Sequence, residues 1–321
     1  MNTKPKLTKE KFNTYQKMSE SAKNWDLLCT YQLLPHALEG EHHVIELPSI
    51  QLSYSERAGG FMHDAMSPKG AISVAVIQEC KDKACFDRMK LHKGDILFFD
   101  DSQTFNFMSN DHIKVAIISI PKTLKRIQKL QLPTALGYFI VDQNMHLSHL
   151  LDTTLEETSK NATVRNPQEI ESAIFETLTN LLKNQTLQKT KLTEGEKIAL
   201  AIRDQVYKHM DGKINITSLA TQHQVSPQTL QNSFKSLFGF TPQRFLRLLK
   251  LNLVHHNLRE TSLEKESVSK VALKWGFMHM GRFSRYYTDL FGENPSITLK
   301  THYFKENSMT SECTMRQEEI N

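Results

Sequence analysis

The pattern of apolar and polar positions changes twice along the chain. Residues 1–24 are polar and read as a loose or helical lead-in. From Trp25 to about Ile120, short runs rich in Val, Ile, Phe and Tyr alternate with turn-forming residues, and 44–47, 50–54, 72–77, 96–99 and 113–120 are predicted as strands. Gly59-Gly60, Pro68-Lys69-Gly70, Lys93-Gly94-Asp95 and Ser109-Asn110-Asp111 punctuate them. Many short strands at this spacing indicate a small barrel or sandwich. Beyond Pro121 the period becomes helical, with candidates over 123–130 and 147–159. The strongest is 166–187. Asn166 can cap it, Pro167 suits its first turn, and Glu169 and Glu171 complement its N-terminal dipole. Ile170, Ala173, Ile174, Leu178, Leu181 and Leu182 form one apolar stripe, which either packs on the helix's own strand domain or pairs two copies of the chain. Polar residues 185–191 suit a linker, and an amphipathic helix is predicted over 194–210.

The next hundred residues contain a repeat. Residues 216–246 correspond to 268–299, at an offset of 52 up to a central turn and 53 beyond it. Before the turn, Leu219 matches Val271, Ala220 matches Ala272 and Val225 matches Phe277. After it, Leu230 matches Phe283, Phe234 matches Tyr287, Phe238 matches Phe291, Gly239 matches Gly292 and Pro242 matches Pro295. Each copy has the parts of a helix-turn-helix: a short helix with a small alanine, an apolar residue plugging the corner, and a longer helix with one apolar stripe. The opposite face of that second helix stays free. In the first unit it carries Gln228, Thr229, Gln231, Asn232 and Lys235, and in the second His279, Met280, Arg282, Arg285 and Tyr286. Gln and Asn pair bidentately with adenine, Arg with guanine, and Met280 suits a thymine methyl; Lys235, further along its helix, suits a phosphate. The intervening segment, 242–259, reads as a helix of roughly 25 Å at ~1.5 Å per residue, a suitable rod for setting two recognition helices one duplex turn apart.

Charge supports this reading. Residues 196–300 hold 15 basic and 8 acidic residues, a net +7, whereas the remainder holds 25 and 27, a net −2. A basic segment on a near-neutral remainder favours a polyanion partner. The hydrophobic fraction of 39% suits ordinary cores. The longest apolar runs, such as 115–120, fall far short of a membrane span of ~20 residues. Residues 1–12 lack the apolar stretch of a signal peptide, so the expectation is a cytoplasmic protein without membrane contact. Cys29, Cys80, Cys85 and Cys313 match no zinc or redox spacing and read as reduced structural thiols, with redox sensing by Cys80 and Cys85 the alternative.

Residues 194–300 resemble the AraC/XylS family of transcription regulators over its whole DNA-binding domain. The resemblance is carried by Val271-Ala272-Leu273-Lys274-Trp275-Gly276-Phe277, by Phe283-Ser284-Arg285, and by Leu290-Phe291-Gly292 before Pro295. Asn294 stands where the family usually has Thr, and Ser296-Ile297-Thr298-Leu299 replaces an aromatic-Arg ending. Trp275-Gly276-Phe277 and Asn294-Pro295-Ser296 are similar to the branch that includes ethanolamine-utilisation regulators. The resemblance implies an α+β two-domain protein: an N-terminal cupin-like β-barrel with helices and a C-terminal all-α double helix-turn-helix. The expected organisation is a lead-in (1–24), an effector and dimerisation domain (25–184), a linker (185–193), the DNA-binding domain (194–300) and a disordered tail (301–321). The implied partners are double-stranded promoter DNA, RNA polymerase, an unidentified small-molecule effector and a second copy through 166–187. No cofactor is expected.

The competing reading is a metal-dependent cupin enzyme with a DNA-binding appendage. His36, His42 and His43 lie near Glu41 and Glu46, but adjacent histidines on a strand point to opposite faces, so the cupin pattern of alternate histidines is absent. Neither Cys80 nor Cys85 has the Pro-Cys setting of a repair methyltransferase, and no G-x-S-x-G or phosphate loop occurs.

Overall fold

The computed structural model describes residues 7–22, 25–35, 38–81, 84–87, 89–130, 132, 138–161, 166–184, 188–189, 192–208, 215–260 and 266–300. The tail expected at 301–321 and His36 lie outside these residues. The chain divides into two compact units, one comprising Met1–Tyr31, Ala37–Lys197 and Lys235–Gly239, the other Gln32–His36, Ile198–Phe234 and Phe240–Asn321.

The first unit is rich in strands. In order it contains β1 (Leu7–Phe12), α1 (Tyr15–Ser21), β2 (Asp26–Gln32), β3 (Glu39–Glu46), β4 (Gln51–Ala58), β5 (Phe61–Met66), β6 (Ala71–Cys80), β7 (Ala84–Phe86), β8 (Met89–Lys90), β9 (Asp95–Asp100), β10 (Phe105–Ser109), β11 (Ile113–Pro121), α2 (Lys125–Leu130), β12 (Tyr138–Val141), α3 (His146–Asn161), α4 (Pro167–Asn184) and β13 (Gln188–Lys189). All five predicted strands are present as β3, β4, β6, β9 and β11. The polar opening, read as loose or helical, instead supplies a strand and a short helix. Strand β1 pairs antiparallel with β3, its Lys9 reaching Glu41 at 3.2 Å. A two-residue strand, β13, lies in the predicted linker and pairs with β12.

The strands form an eight-stranded sheet in the order β1-β3-β4-β11-β6-β9-β12-β13 and a five-stranded sheet in the order β2-β5-β10-β7-β8. The chain passes from one sheet to the other at Gly59, whose φ of 121° lies where a side chain would be strained. Alternation along the strands assigns each face of the larger sheet its own core. Leu52, Val74, Val76, Ile96, Phe98, Ile118 and Ile120 pack under α3 and α4. Ala75, Ile77, Leu97, Phe99, Ile113 and Val115 pack with Phe61, Phe86, Phe105 and Phe107 of the smaller sheet. The apolar stripe of α4 is used within this core, where Ile174, Leu178 and Leu181 are buried. Glu171 does not simply sit at the helix dipole. It is buried, and its two oxygens accept from the backbone amide (2.6 Å) and hydroxyl (2.8 Å) of Ser49.

The second unit is helical: α5 (Glu194–Lys208), α6 (Ile216–Gln222), α7 (Pro227–Phe238), α8 (Pro242–Glu260), α9 (Val268–Lys274) and α10 (Met280–Phe291), with the first turn of α5 and the last turn of α7 grouped in the first unit. Thr193 and Glu196 form a reciprocal capping box at the start of α5, Thr193 N donating to Glu196 Oε2 and Glu196 N donating to Thr193 Oγ1.

Candidate nucleic-acid interface

The two repeated units are built by the same local rules. Asn215 caps α6 by accepting from the amides of Thr217 and Ser218, and Ser267 caps α9 by accepting from Lys270. Each short helix ends in a residue of left-handed conformation, Gln224 (φ 52°) in the first unit and Gly276 (φ 84°) in the second. The amide of the next residue closes the corner on the small alanine: Val225 N donates to Ala220 O and Phe277 N to Ala272 O, both at 3.0 Å. Both bonds fall at the offset of 52. Past the corner, Gly239 and Gly292 end α7 and α10 with φ of 76° and 74°, at the offset of 53. The residue inserted in the second turn is accommodated where Met278 stands 74% exposed.

These turns fix which faces are buried. Leu230, Phe234, Leu237 and Phe238 of α7 are buried, as are Phe283, Tyr287 and Leu290 of α10. Phe234 meets Phe245 of α8 edge-on, with centroids 5.8 Å apart, and Phe283 packs between Phe277 and Tyr287. On the other side of α7, Gln228, Thr229, Asn232 and Lys235 are exposed and Gln231 is half-buried. Gln228 Nε2 donates to Asn232 Oδ1 at 3.0 Å, so these two amides stand side by side one turn apart. On α10, Arg282 and Arg285 are exposed and Met280 is half-buried. Arg285 Nε faces Asp289 at 3.8 Å. His279 occupies the N-cap position without making a side-chain cap bond.

Tyr286 differs from the sequence expectation. It is half-buried beneath Arg247 of α8, whose guanidinium carbon lies 4.1 Å from the ring centroid. Three further features have no sequence signal of their own. Trp275 Nε1 donates to Asn257 Oδ1 at 2.8 Å, tying the second turn to α8. Lys250 is half-buried beside Gly276, where a Cβ would lie 3.3 Å from its Nζ, and burial pulls its ammonium below the ordinary lysine value. His255 starts a buried chain of hydrogen bonds. Tyr287 Oη donates to Thr298 Oγ1 (2.8 Å), Thr298 donates to Glu293, and His255 Nδ1 therefore donates to Tyr287 Oη (2.7 Å). Burial first, and then the charges of Arg259 and His256, push this imidazole down to about 4. The arrangement presents amides on the exposed face of α7 and guanidinium groups on that of α10, each on a helix-turn-helix corner.

The adjacent histidines of β3 behave as strand alternation requires. His42 shares a face with Ser55 of β4, while His43 lies opposite Tyr54 and 3.2 Å from Glu41. Among the described residues, no group of three or more His, Cys, Asp or Glu side chains stands close enough to hold a metal ion, and no helix is long and apolar enough to cross a membrane. Cys80 and Cys85 are unbridged.

A family model described as a helix-turn-helix domain matches residues 219–301. The XylDLEGF operon transcriptional activator of Pseudomonas putida is 35% identical over 95 residues, 30% of this chain and 30% of that one. The HTH-type transcriptional activator RhaS of Escherichia coli O1:K1 / APEC is 29% identical over 122 residues, 38% of this chain and 42% of that one. The matched stretch thus spans 30% and 42% of the length of these two activators. Among solved structures, the AraC-like transcriptional activator CuxR is 12% identical with a TM-score of 0.39, covering 76% of this chain and 94% of that one. Residues 219–301 accordingly form a helix-turn-helix domain similar to those of these transcriptional activators.

Proposed function

We propose that the chain is a sequence-specific DNA-binding transcription regulator in which 194–300 read promoter DNA and 25–184 receive a small-molecule signal. The observation that carries the reading is the duplicated corner: the same backbone bond, a left-handed residue at the same position and the same glycine cap occur twice, on either side of an α8 of 19 residues. At ~1.5 Å per residue that helix is roughly 28 Å long, comparable to the ~34 Å between successive major-groove faces. Gln228, Thr229, Gln231 and Asn232 of the first unit, and His279, Met280, Arg282 and Arg285 of the second, are assigned to base edges, and Lys235 to phosphate. Amides on one side and guanidinium groups on the other make the recognised site asymmetric.

The names of the relatives favour activation, and RNA polymerase as protein partner and the cytoplasm as place of action belong to the same proposal. The two-sheet unit is read as cupin-like. Pairing of two copies through 166–187 would use the exposed side of α4, because the apolar stripe of that helix is already buried in its own domain. Selection of bound duplexes from a random pool by the full chain tests the reading. The expected product has two unlike blocks of preferred bases about one helical turn apart, one favouring adenine and the other guanine. A pool that remains random after repeated rounds contradicts it.

A further inference from the structure

The two sheets of the strand-rich unit enclose a cavity of about 90 Å³. The strand register explains its lining. Gly40 lies opposite Arg57 and His42 opposite Ser55, while on the other side of β4 Ile113 faces Arg57 and Val115 faces Ser55. These residues share the face turned toward the smaller sheet, where His63 pairs with Phe107. One end of the cavity is aromatic: Phe86, Phe99 and Phe105 stand 4.7–5.0 Å apart by ring centroids. The other end holds Arg57, His42 and His63.

Arg57 is 8% exposed. Its Nη1 reaches only the thioether of Met18 at 3.8 Å, and its Nε has no protein acceptor. The rings of Phe61 and Phe107 lie under the guanidinium at 4.6 and 5.4 Å. No ion pair with Arg57 occurs among the described residues. Glu56, next to Arg57 in sequence, and Glu41 of β3 lie opposite each other on the other face of the sheet, engaged with His112 (2.9 Å) and Lys9 (3.2 Å) respectively. The imidazoles supply no counter-charge. Burial, together with the charge of Arg57, brings His42 to about 3 and His63 well below its ordinary value. Ser21 donates its hydroxyl to Met18 O, so His42 Nδ1 donates to Ser21 Oγ (2.8 Å) as a neutral ring.

A buried cation in a folded protein is ordinarily paired. A lone guanidinium fork at one end of an apolar, aromatic chamber is complementary to a planar two-oxygen anion with a hydrocarbon body. We infer that this cavity binds a small organic monocarboxylate, its carboxylate on Arg57 and its short apolar body against Phe86, Phe99 and Phe105. The cavity is smaller than the ~150 Å³ that admits benzene, which limits that body to a few carbons. An amine would meet a like charge, a dicarboxylate would carry its second charge into the aromatic end, and a sugar would leave hydroxyls there without partners. The inference rests on the strand-rich unit being the effector domain of the regulator proposed above, and it names the class of effector.

Calorimetry on the full chain tests it, using sodium propionate, butyrate and isobutyrate against propionamide, propylamine and succinate at matched ionic strength. Saturable binding of the monocarboxylates alone is expected. Arg57→Met, which keeps the length and removes the charge, should weaken that binding on the order of 10- to 100-fold. Ala75→Leu, which fills the cavity from β6, two strands away from Arg57 in the same sheet, should abolish it. Two results would overturn the inference: no saturable monocarboxylate binding by the native chain, or wild-type binding by folded Arg57→Met. If Arg57→Met does not fold, wild-type binding by Ala75→Leu overturns it instead. DNA binding measured on the same preparation separates the two readings. A chain that binds DNA but no monocarboxylate loses this inference alone, and one that binds the acids but no DNA loses the regulator reading alone.

Discussion

Acidification should loosen the second helix-turn-helix through one imidazole. His255 stacks on Phe291 with centroids 4.2 Å apart and donates from Nδ1 to Tyr287, and burial holds it at about 4 against an ordinary 6.5. The sign follows from linkage. Above pH 6.5 the ring is neutral in both the folded and unfolded chain, and its contribution to stability is fully present. As pH falls from 6.5 toward 4, the unfolded chain takes up a proton that the folded chain refuses, so stability is lost. At about pH 5 the loss approaches 2 kcal/mol at full effect, and discounting for residual exposure leaves about 1–2 kcal/mol. Trp275 is a local reporter, since its indole bonds to Asn257 on α8, and a Trp25→Phe background silences the other tryptophan. Urea unfolding followed by Trp275 fluorescence should give a lower midpoint at about pH 5 than at about pH 7.5. Adding His255→Gln keeps a donor toward Tyr287 but does not titrate, and should remove most of that difference. An equal loss with and without His255→Gln would refute the assignment.

The base-reading assignments make separable predictions in competition binding. Arg282→Ala and Gln231→Ala should each relax preference at one base position by about 1–3 kcal/mol, whereas Lys235→Ala should weaken binding to all sequences alike and lower the salt slope by about one. Asp289→Asn frees Arg285 from the carboxylate 3.8 Å away and removes a negative charge near the duplex, so affinity for any DNA should rise at low salt. Gln224 holds a left-handed conformation that costs a non-glycine residue on the order of 1 kcal/mol, so Gln224→Gly should leave thermal stability unchanged or raised despite its unfolded-state entropy; a marked fall would contradict the turn geometry. A Cβ on Gly40 would clash with the backbone oxygen of Glu56 and lie 2.6 Å from the Phe12 ring, so Gly40→Ala should destabilise the strand-rich unit by roughly 1–3 kcal/mol in a melt followed by circular dichroism.

The helical repeat was legible because its constraints are local. A small alanine, a corner plug and a capping glycine each answer to backbone geometry within a few residues, and the change of offset from 52 to 53 reappears as one extra turn residue. The strands of the larger sheet were legible where Val, Ile and Phe run together. Those of the smaller sheet were not. In β5 and β10 the apolar runs are broken by Asp64 and Asn106, which satisfy each other across the strands at 2.8 Å, a pairing visible only once the register is known. Arg57 lies three residues beyond the predicted end of its strand and points inward, where alternation expects an apolar side chain, so sequence alone gives it no role. The stripe of α4 left its partner open because an apolar face does not say what covers it, and packing on its own sheet settled where those residues go. Tyr286 likewise read as free because helical periodicity does not show that Arg247, on another helix, lies over its ring.

The central claim is that residues 194–300 read DNA through two unlike helix faces. Its most direct test is fluorescence anisotropy of the full chain on a labelled duplex carrying the selected site, titrated at several salt concentrations beside a shuffled duplex. The account predicts that the selected site is preferred by at least ~10³-fold, and that log affinity for both duplexes falls linearly with log salt, with a slope of several units. Equal affinity for the two duplexes, or affinity indifferent to salt, would contradict it.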